Sequence, residues 1–286
     1  MTTTARFSWP ALVGGLGLAL AVAPTVFAPP AASGEELRVE SEVFADGGQE
    51  PIGRSLTLFR DGLAWDFLER PAQAGGPSGA DSATDEIVLH DPARERVVIV
   101  DPRRNIKTQI DSLRLERLSV SLASWARKAD DRLVRWAGGP DFGEGIHEDD
   151  EKLELIGPRV RYAVEFAEAP SADTADVYRR FADTAMLLKA LLHPGGIPPF
   201  PRLAINRHVS AAGGIPTSVT LEIDSKAAMI GGRPQVLRSV HRVHPKLLGG
   251  DIERIEEAEA RIAVAEPVDL ATYMAKEPPD GSSAAE

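Results

Sequence analysis

No cysteine occurs anywhere in the 286 residues. This excludes a disulfide framework, a cysteine nucleophile and the lipid-modified cysteine with which a bacterial lipoprotein begins. Basic charge is also short: 32 Lys and Arg face 43 Asp and Glu, a formal net charge of −11. An electrostatic grip on nucleic acid or on an anionic membrane surface does not follow from such a balance. No apolar run reaches the ~18 to 20 residues of a membrane-spanning helix, so no transmembrane anchor is expected. Missing too are a G-x-S-x-G elbow, an H-E-x-x-H pair and a phosphate loop ending in Gly-Lys-Ser or Gly-Lys-Thr, which lowers the expectation of an enzyme.

The chain does open with a distinctive stretch. Arg6 precedes an apolar run from Ala11 to Val22, and Pro24 ends it. This is the build of a secretion signal, with cleavage expected near Ser33 after Ala31 and Ala32. Residues 1–33 are therefore read as a signal peptide and the mature protein as periplasmic or extracellular. Losing Arg6 takes the formal charge from −11 to −12. The roughly 250 residues left can bury one large core, and residues 34–276 are read as a single domain.

Alternation dominates that domain. Leu37 to Phe44 (LRVESEVF) places Leu37, Val39 and Val43 on one side and Arg38, Glu40 and Glu42 on the other, a half-buried strand. Leu56 and Leu58 lead to Asp61-Gly62 and then to Leu63, Trp65 and Phe67. An Asp-Gly pair between alternating runs is a strong hairpin signal, because a type I′ turn needs positive φ at both central residues. Residues 71–85, rich in Gly, Ala and Ser, offer no apolar face and are expected to form a flexible loop. Asp91-Pro92-x-Arg94 then recurs as Asp101-Pro102-x-Arg104, two similar turns in an antiparallel meander.

Leu115, Leu118, Leu122, Trp125, Leu133 and Trp136 fall on one helical stripe, predicting a helix from about Ser112 to Ala137. The acidic stretch from His147 to Glu151 reads as a solvated loop, and hairpin strands follow on either side of Gly157-Pro158. A helix capped by Asp173 is expected over about Thr174 to Leu192, a short one from Pro201, and a last one carrying Ile252, Ile255 and Ile262. Strands over Thr217–Asp224 and Gln235–Val243 lie between the last two, and residues 277–286 read as a disordered tail. About ten strands with three or four amphipathic helices make an α+β class, a strongly curved antiparallel sheet with helices packed on its concave apolar face and its charged face in solvent.

This order of elements resembles the lipoprotein-localisation proteins LolA and LolB. The similar features are LRVESEVF, the Asp-Gly hairpin ending in LAWDFL, the meander VVIVDPRRNIKTQI with a helix after it, and the late strand GGIPTSVTLEI. The resemblance implies an open half-barrel whose concave side is lidded by helices and can hold acyl chains. This chain departs from LolA in its second long helix and from LolB in lacking a cysteine, and no individual functional residue carries over.

Within such a scaffold the cavity-lining candidates are Trp65, Phe67, Leu118, Leu122, Trp125 and Leu188, side chains with enough apolar area to gain from burying a lipid chain. The six histidines are scattered, and His241 and His244, three apart on a strand, point to opposite faces, so no shared metal is expected. No cofactor is assigned. The leading expectation is a non-catalytic envelope protein binding an apolar small molecule or lipoprotein acyl chain. The alternative is a protein-interaction or sensor module with a filled core, meeting an envelope protein partner. An enzyme ranks third and would require a buried carboxylate or histidine cluster in a cleft.

Overall fold

A computed structural model describes residues 36–69, 84–149, 151–193, 196–224 and 235–275. The expected signal segment 1–33, most of the loop 71–85 and the tail 277–286 lie outside the described residues. The chain begins with β1 (Leu37–Ala45), β2 (Gly53–Arg60), β3 (Leu63–Glu69), β4 (Thr84–Asp91), β5 (Arg96–Asp101) and β6 (Ile106–Asp111). Helices α1 (Ser112–Arg127) and α2 (Arg132–Ala137) come next, then β7 (Ile146–Asp149), β8 (Lys152–Gly157) and β9 (Val160–Glu168). The last part comprises α3 (Ala172–Leu192), α4 (Phe200–Ala211), β10 (Gly214–Ile223), β11 (Gln235–His244), α5 (Gly249–Val264), β12 (Glu266–Pro267) and α6 (Leu270–Met274).

All twelve strands join one open sheet in the order β12-β6-β5-β4-β3-β2-β1-β11-β10-β9-β8-β7. Neighbours are antiparallel except the short β12, which runs parallel to β6. The fold is thus α+β with a large unclosed sheet and six helices, and the described residues belong to one compact unit, Ser33–Glu286. No helix among them is long and apolar enough to cross a membrane.

Local chemistry accounts for the strand connections. Asp61 and Gly62 take φ of 53° and 76°, the pair of left-handed residues that a type I′ turn demands. The two Asp-Pro-x-Arg turns repeat one device. Asp91 Oδ1 accepts from the Arg94 backbone N–H at 3.1 Å, and its Oδ2 accepts from the Arg94 and Arg96 guanidinium groups. Asp101 does the same with the Arg103 and Arg104 backbone N–H groups and the Arg104 side chain. Burial of Asp91 pushes its carboxyl up, but the bonds from Arg94 and Arg96 outweigh burial and hold it below the ordinary aspartate range. Asp91→Ala therefore costs about 2–3 kcal/mol, the combined loss of a cap and two charge-assisted bonds, read as a lower urea midpoint.

Two helices replace the single one expected over Ser112–Ala137. Asp131 breaks the run by accepting from the Leu133 and Val134 backbone N–H groups, which starts a new helix. Ser171 rather than Asp173 caps α3, accepting from Thr174 N–H at 3.0 Å. His147–Asp149, expected in a loop, pair with β8 as an exposed acidic edge strand. Such an edge repels added strands.

Helices cover the sheet on both sides. The inner face meets α1, α2, α3, α4 and α6: Leu115, Leu188 and Leu270 pack on Val88, Val97 and Ile99, Ala175 and Tyr178 on Leu37 and Phe59, and Ile205 and Val209 on Tyr162 and Val164. The outer face of β2 to β5 lies under α5, where Ile255 and Ala258 pack on Leu58, Trp65, Phe67 and Val98. Only the outer face of the other half, with Glu154, Arg161, Glu165 and Arg242, is charged and exposed. The expectation of one wholly solvated charged face holds for β8 to β11 and fails for β2 to β5. The physical reason is visible in β5, where Val97, Val98, Ile99 and Val100 are all buried: a strand apolar on both sides needs cover on both.

Candidate functional site

Strand alternation sends the predicted cavity residues to different places. Trp65 and Phe67 lie on the outer face, each 2% exposed beneath α5. Leu188 is buried on the inner face beside Leu115 and Ile99. Leu118 and Leu122 are half-buried on α1, and Trp125 is 58% exposed. The six do not meet around one space. Phe67 does border a cleft of about 350 Å³ between α5 and the β3–β4 edge, with Thr84, Ile87, Arg103 and Arg254 among its walls. Two of the cationic groups there are already matched: Arg254 bonds Glu69 and Thr84 and lies 4.5 Å over the Phe67 ring, while Arg103 pairs with Asp85.

The inner face holds a second constellation that alternation did not single out. Asp66 on β3, His241 on β11 and Arg202 on α4 are packed deeply among neighbouring atoms, yet each keeps part of its surface accessible. Thr57 on β2 donates to Asp66 Oδ1 at 2.8 Å. His241 sits between two serines, Ser41 Oγ at 2.9 Å from Nδ1 and Ser239 Oγ at 3.1 Å from Nε2. Tyr178 from α3 and Tyr162 from β9 face Arg202.

Burial sets the electrostatics. It pushes the Asp66 carboxyl up to about 6, against the Thr57 bond, and His241 down to about 3, with repulsion from Arg202 adding to the effect. His90, on β4, is likewise held down at about 3 by burial. Both of its ring nitrogens lack a hydrogen-bond partner among the described residues, and its ring meets Phe181 edge-on at 4.7 Å. Tyr162 is pushed up to about 12 by burial, with Arg202 opposing. Burial lowers the Arg202 pKa, partly offset by Tyr178, Tyr162 and Asp183.

These groups do not compose a catalytic set. His241 at about 3 is too weak a base to activate Ser41 near neutral pH, and its other nitrogen meets a serine where a triad places a carboxylate. Asp66 sits three strands away, on the order of 14 Å at the usual strand spacing. No group of three His, Asp or Glu side chains able to hold a metal occurs among the described residues.

Where β1, β10 and β11 approach the connections 46–52 and 225–234, the same face turns apolar. Leu237 faces Leu221 across the β11–β10 pair and Ala45 across the β11–β1 pair. Leu237 is 40% exposed and Val43, Leu221 and Ile223 are half-buried, whereas Leu68, 36% exposed, lies between Ser55 and Glu86. The polar Ser41, Ser239 and His241, a floor, and the apolar Val43, Leu221, Ile223 and Leu237, a rim, thus share one face of β1, β11 and β10, with Arg202 electrostatically close to His241. The signals for it were local: Asp66 interrupts the Ala64–Leu68 alternation, and Arg202 lies three to four residues from the buried Ile205 and Asn206, on the stripe that continues to Val209. No protein-family model matches the chain, and no curated protein does.

Proposed function

We propose that this chain is an exported, non-catalytic binding protein of the cell envelope that shelters an apolar or amphipathic ligand, such as a lipid or an acyl chain, in the concavity of a LolA-like half-barrel. The carrying observation is the rim of Val43, Leu221, Ile223 and Leu237, apolar side chains on the helix-covered side of the sheet that keep accessible surface. Clustered apolar surface of that kind marks a binding site more often than an accident of composition. The buried Arg202 Nη1, without a hydrogen-bond partner among the described residues, supports a ligand site over a filled core, and so favours a carrier or lipid sensor over a pure interaction module.

The test is uptake. Mature protein, delipidated by organic extraction and refolded, is titrated with a fluorescent long-chain fatty acid and examined by native mass spectrometry. Saturable binding of one or a few chains per protein is the expected outcome. A protein that folds cooperatively yet takes up none overturns the reading.

A further inference from the structure

Arg202, on α4, has unusual surroundings. Its Nη1 is fully buried with no hydrogen-bond partner, and no ion pair to this residue exists among the described residues. Its electrostatic neighbours are the two tyrosines, Tyr162 and Tyr178, and the more distant Asp183. Asp183 is already engaged, accepting from Asn206 Nδ2 at 2.8 Å and from Arg179 at 3.2 Å. A buried cation without an acceptor is costly, and proteins that keep one ordinarily supply it with a counter-charge. Nothing in the described fold does so.

We infer that Arg202 is the anchor for the anionic head of a single-tailed amphiphile, which enters head first and leaves its hydrocarbon chain along the apolar rim. The inference rests on the proposed ligand-binding function and narrows it to a ligand class. Arg202 supplies what a carboxylate or phosphate ester needs: a planar guanidinium with several donors and a reachable edge. Neutral His241, held between Ser41 and Ser239, adds no opposing carboxylate at its own position. Asp66 lies three strands away. The rim residues Val43, Leu221 and Leu237 then match the chain rather than the head.

Four ligands sharing one C16 tail decide the matter: palmitate, hexadecyl phosphate, hexadecanol and hexadecyltrimethylammonium, each titrated by competition against a neutral fluorescent lipid at about pH 8. The wild-type protein should bind the two anions about 10- to 100-fold more tightly than the alcohol, the range of a charge-assisted hydrogen bond, and the cation more weakly still. Arg202→Met should lose that preference and bind palmitate and hexadecanol alike. Arg202→Lys, which keeps the charge, should restore part of it. The order of palmitate and hexadecyl phosphate then says whether the natural head is a carboxylate or a phosphate.

If all four ligands bind the wild type equally, or if folded Arg202→Met keeps the anion preference, the head-group assignment falls while the lipid-binding function stands. If none binds, the function itself falls. The wild-type comparison alone is decisive should the Met variant fail to fold.

Discussion

Lowering the pH from about 7 to about 5 should cost the protein about 2–3 kcal/mol of stability, read as the shift in its urea unfolding between the two buffers. The loss comes from His90 and His241. Both are held near 3 in the folded protein and return to about 6.5 when it unfolds. A group whose pKa is depressed by folding binds its proton more readily in the unfolded chain, so stability is full above the unfolded value and drains away as pH falls. Over this interval each histidine removes about 2 kcal/mol. Asp66 works in the opposite direction. Its carboxyl stands at about 6 in the fold, above its unfolded value, so protonation favours the folded state and returns about 1 kcal/mol.

Single substitutions separate the contributions. His90→Leu should cancel about half of the histidine loss and also remove two ring nitrogens that have no partner among the described residues. Asp66→Asn should make the decline steeper. An unfolding free energy that does not change between the two pH values would mean that neither histidine is buried as described.

Phe67→Ala should destabilise the fold by about 3–5 kcal/mol and leave the affinity of the folded protein for lipid unchanged within about twofold. Phe67 is 2% exposed on the outer face, in one cluster with Leu58, Trp65, Val98 and Ile255. Its ring also carries the Arg254 guanidinium at 4.5 Å. Truncation leaves a cavity under α5 that rigid strands on both sides cannot close, which places the cost at the upper part of the large-to-small range. The proposed ligand lies across the sheet from this position. A variant that keeps its stability and loses lipid would move the binding site to the outer face.

The sequence was informative wherever one residue's backbone chemistry decides the structure. Asp61-Gly62 and the two Asp-Pro-x-Arg turns need no distant partner, and each appears where its residues place it. The break after α1 was equally local, since Asp131 is a good cap, but an unbroken stripe of leucines and tryptophans hid it. Alternation identified Trp65 and Phe67 as one side of β3 but could not tell which helix would face that side. The candidate cavity therefore drew together residues that lie on opposite faces of the sheet. Asp66 escaped notice, and His241 was weighed only as a metal ligand with His244, for a related reason. Each is a single polar residue in a strand, and the meaning of its burial depends on α3 and α4, which begin more than a hundred residues after Asp66.

The order of the strands bears on how the chain must assemble. β1 lies in the middle of the sheet, bonded on one side to its sequence neighbour β2 and on the other to β11, with Arg38 opposite His244. The run from β2 to β6 can zip up from local hairpins, and so can β8 with β9, but the joint between the two halves waits for a strand some two hundred residues downstream. Such long-range closure is the slow, entropically expensive step in building a sheet. Until residue 244 is available, Leu37 and Val39 lie against only one neighbouring strand. An unfinished chain is then a pair of half-sheets with no common centre, a state slow to lock and easy to keep extended.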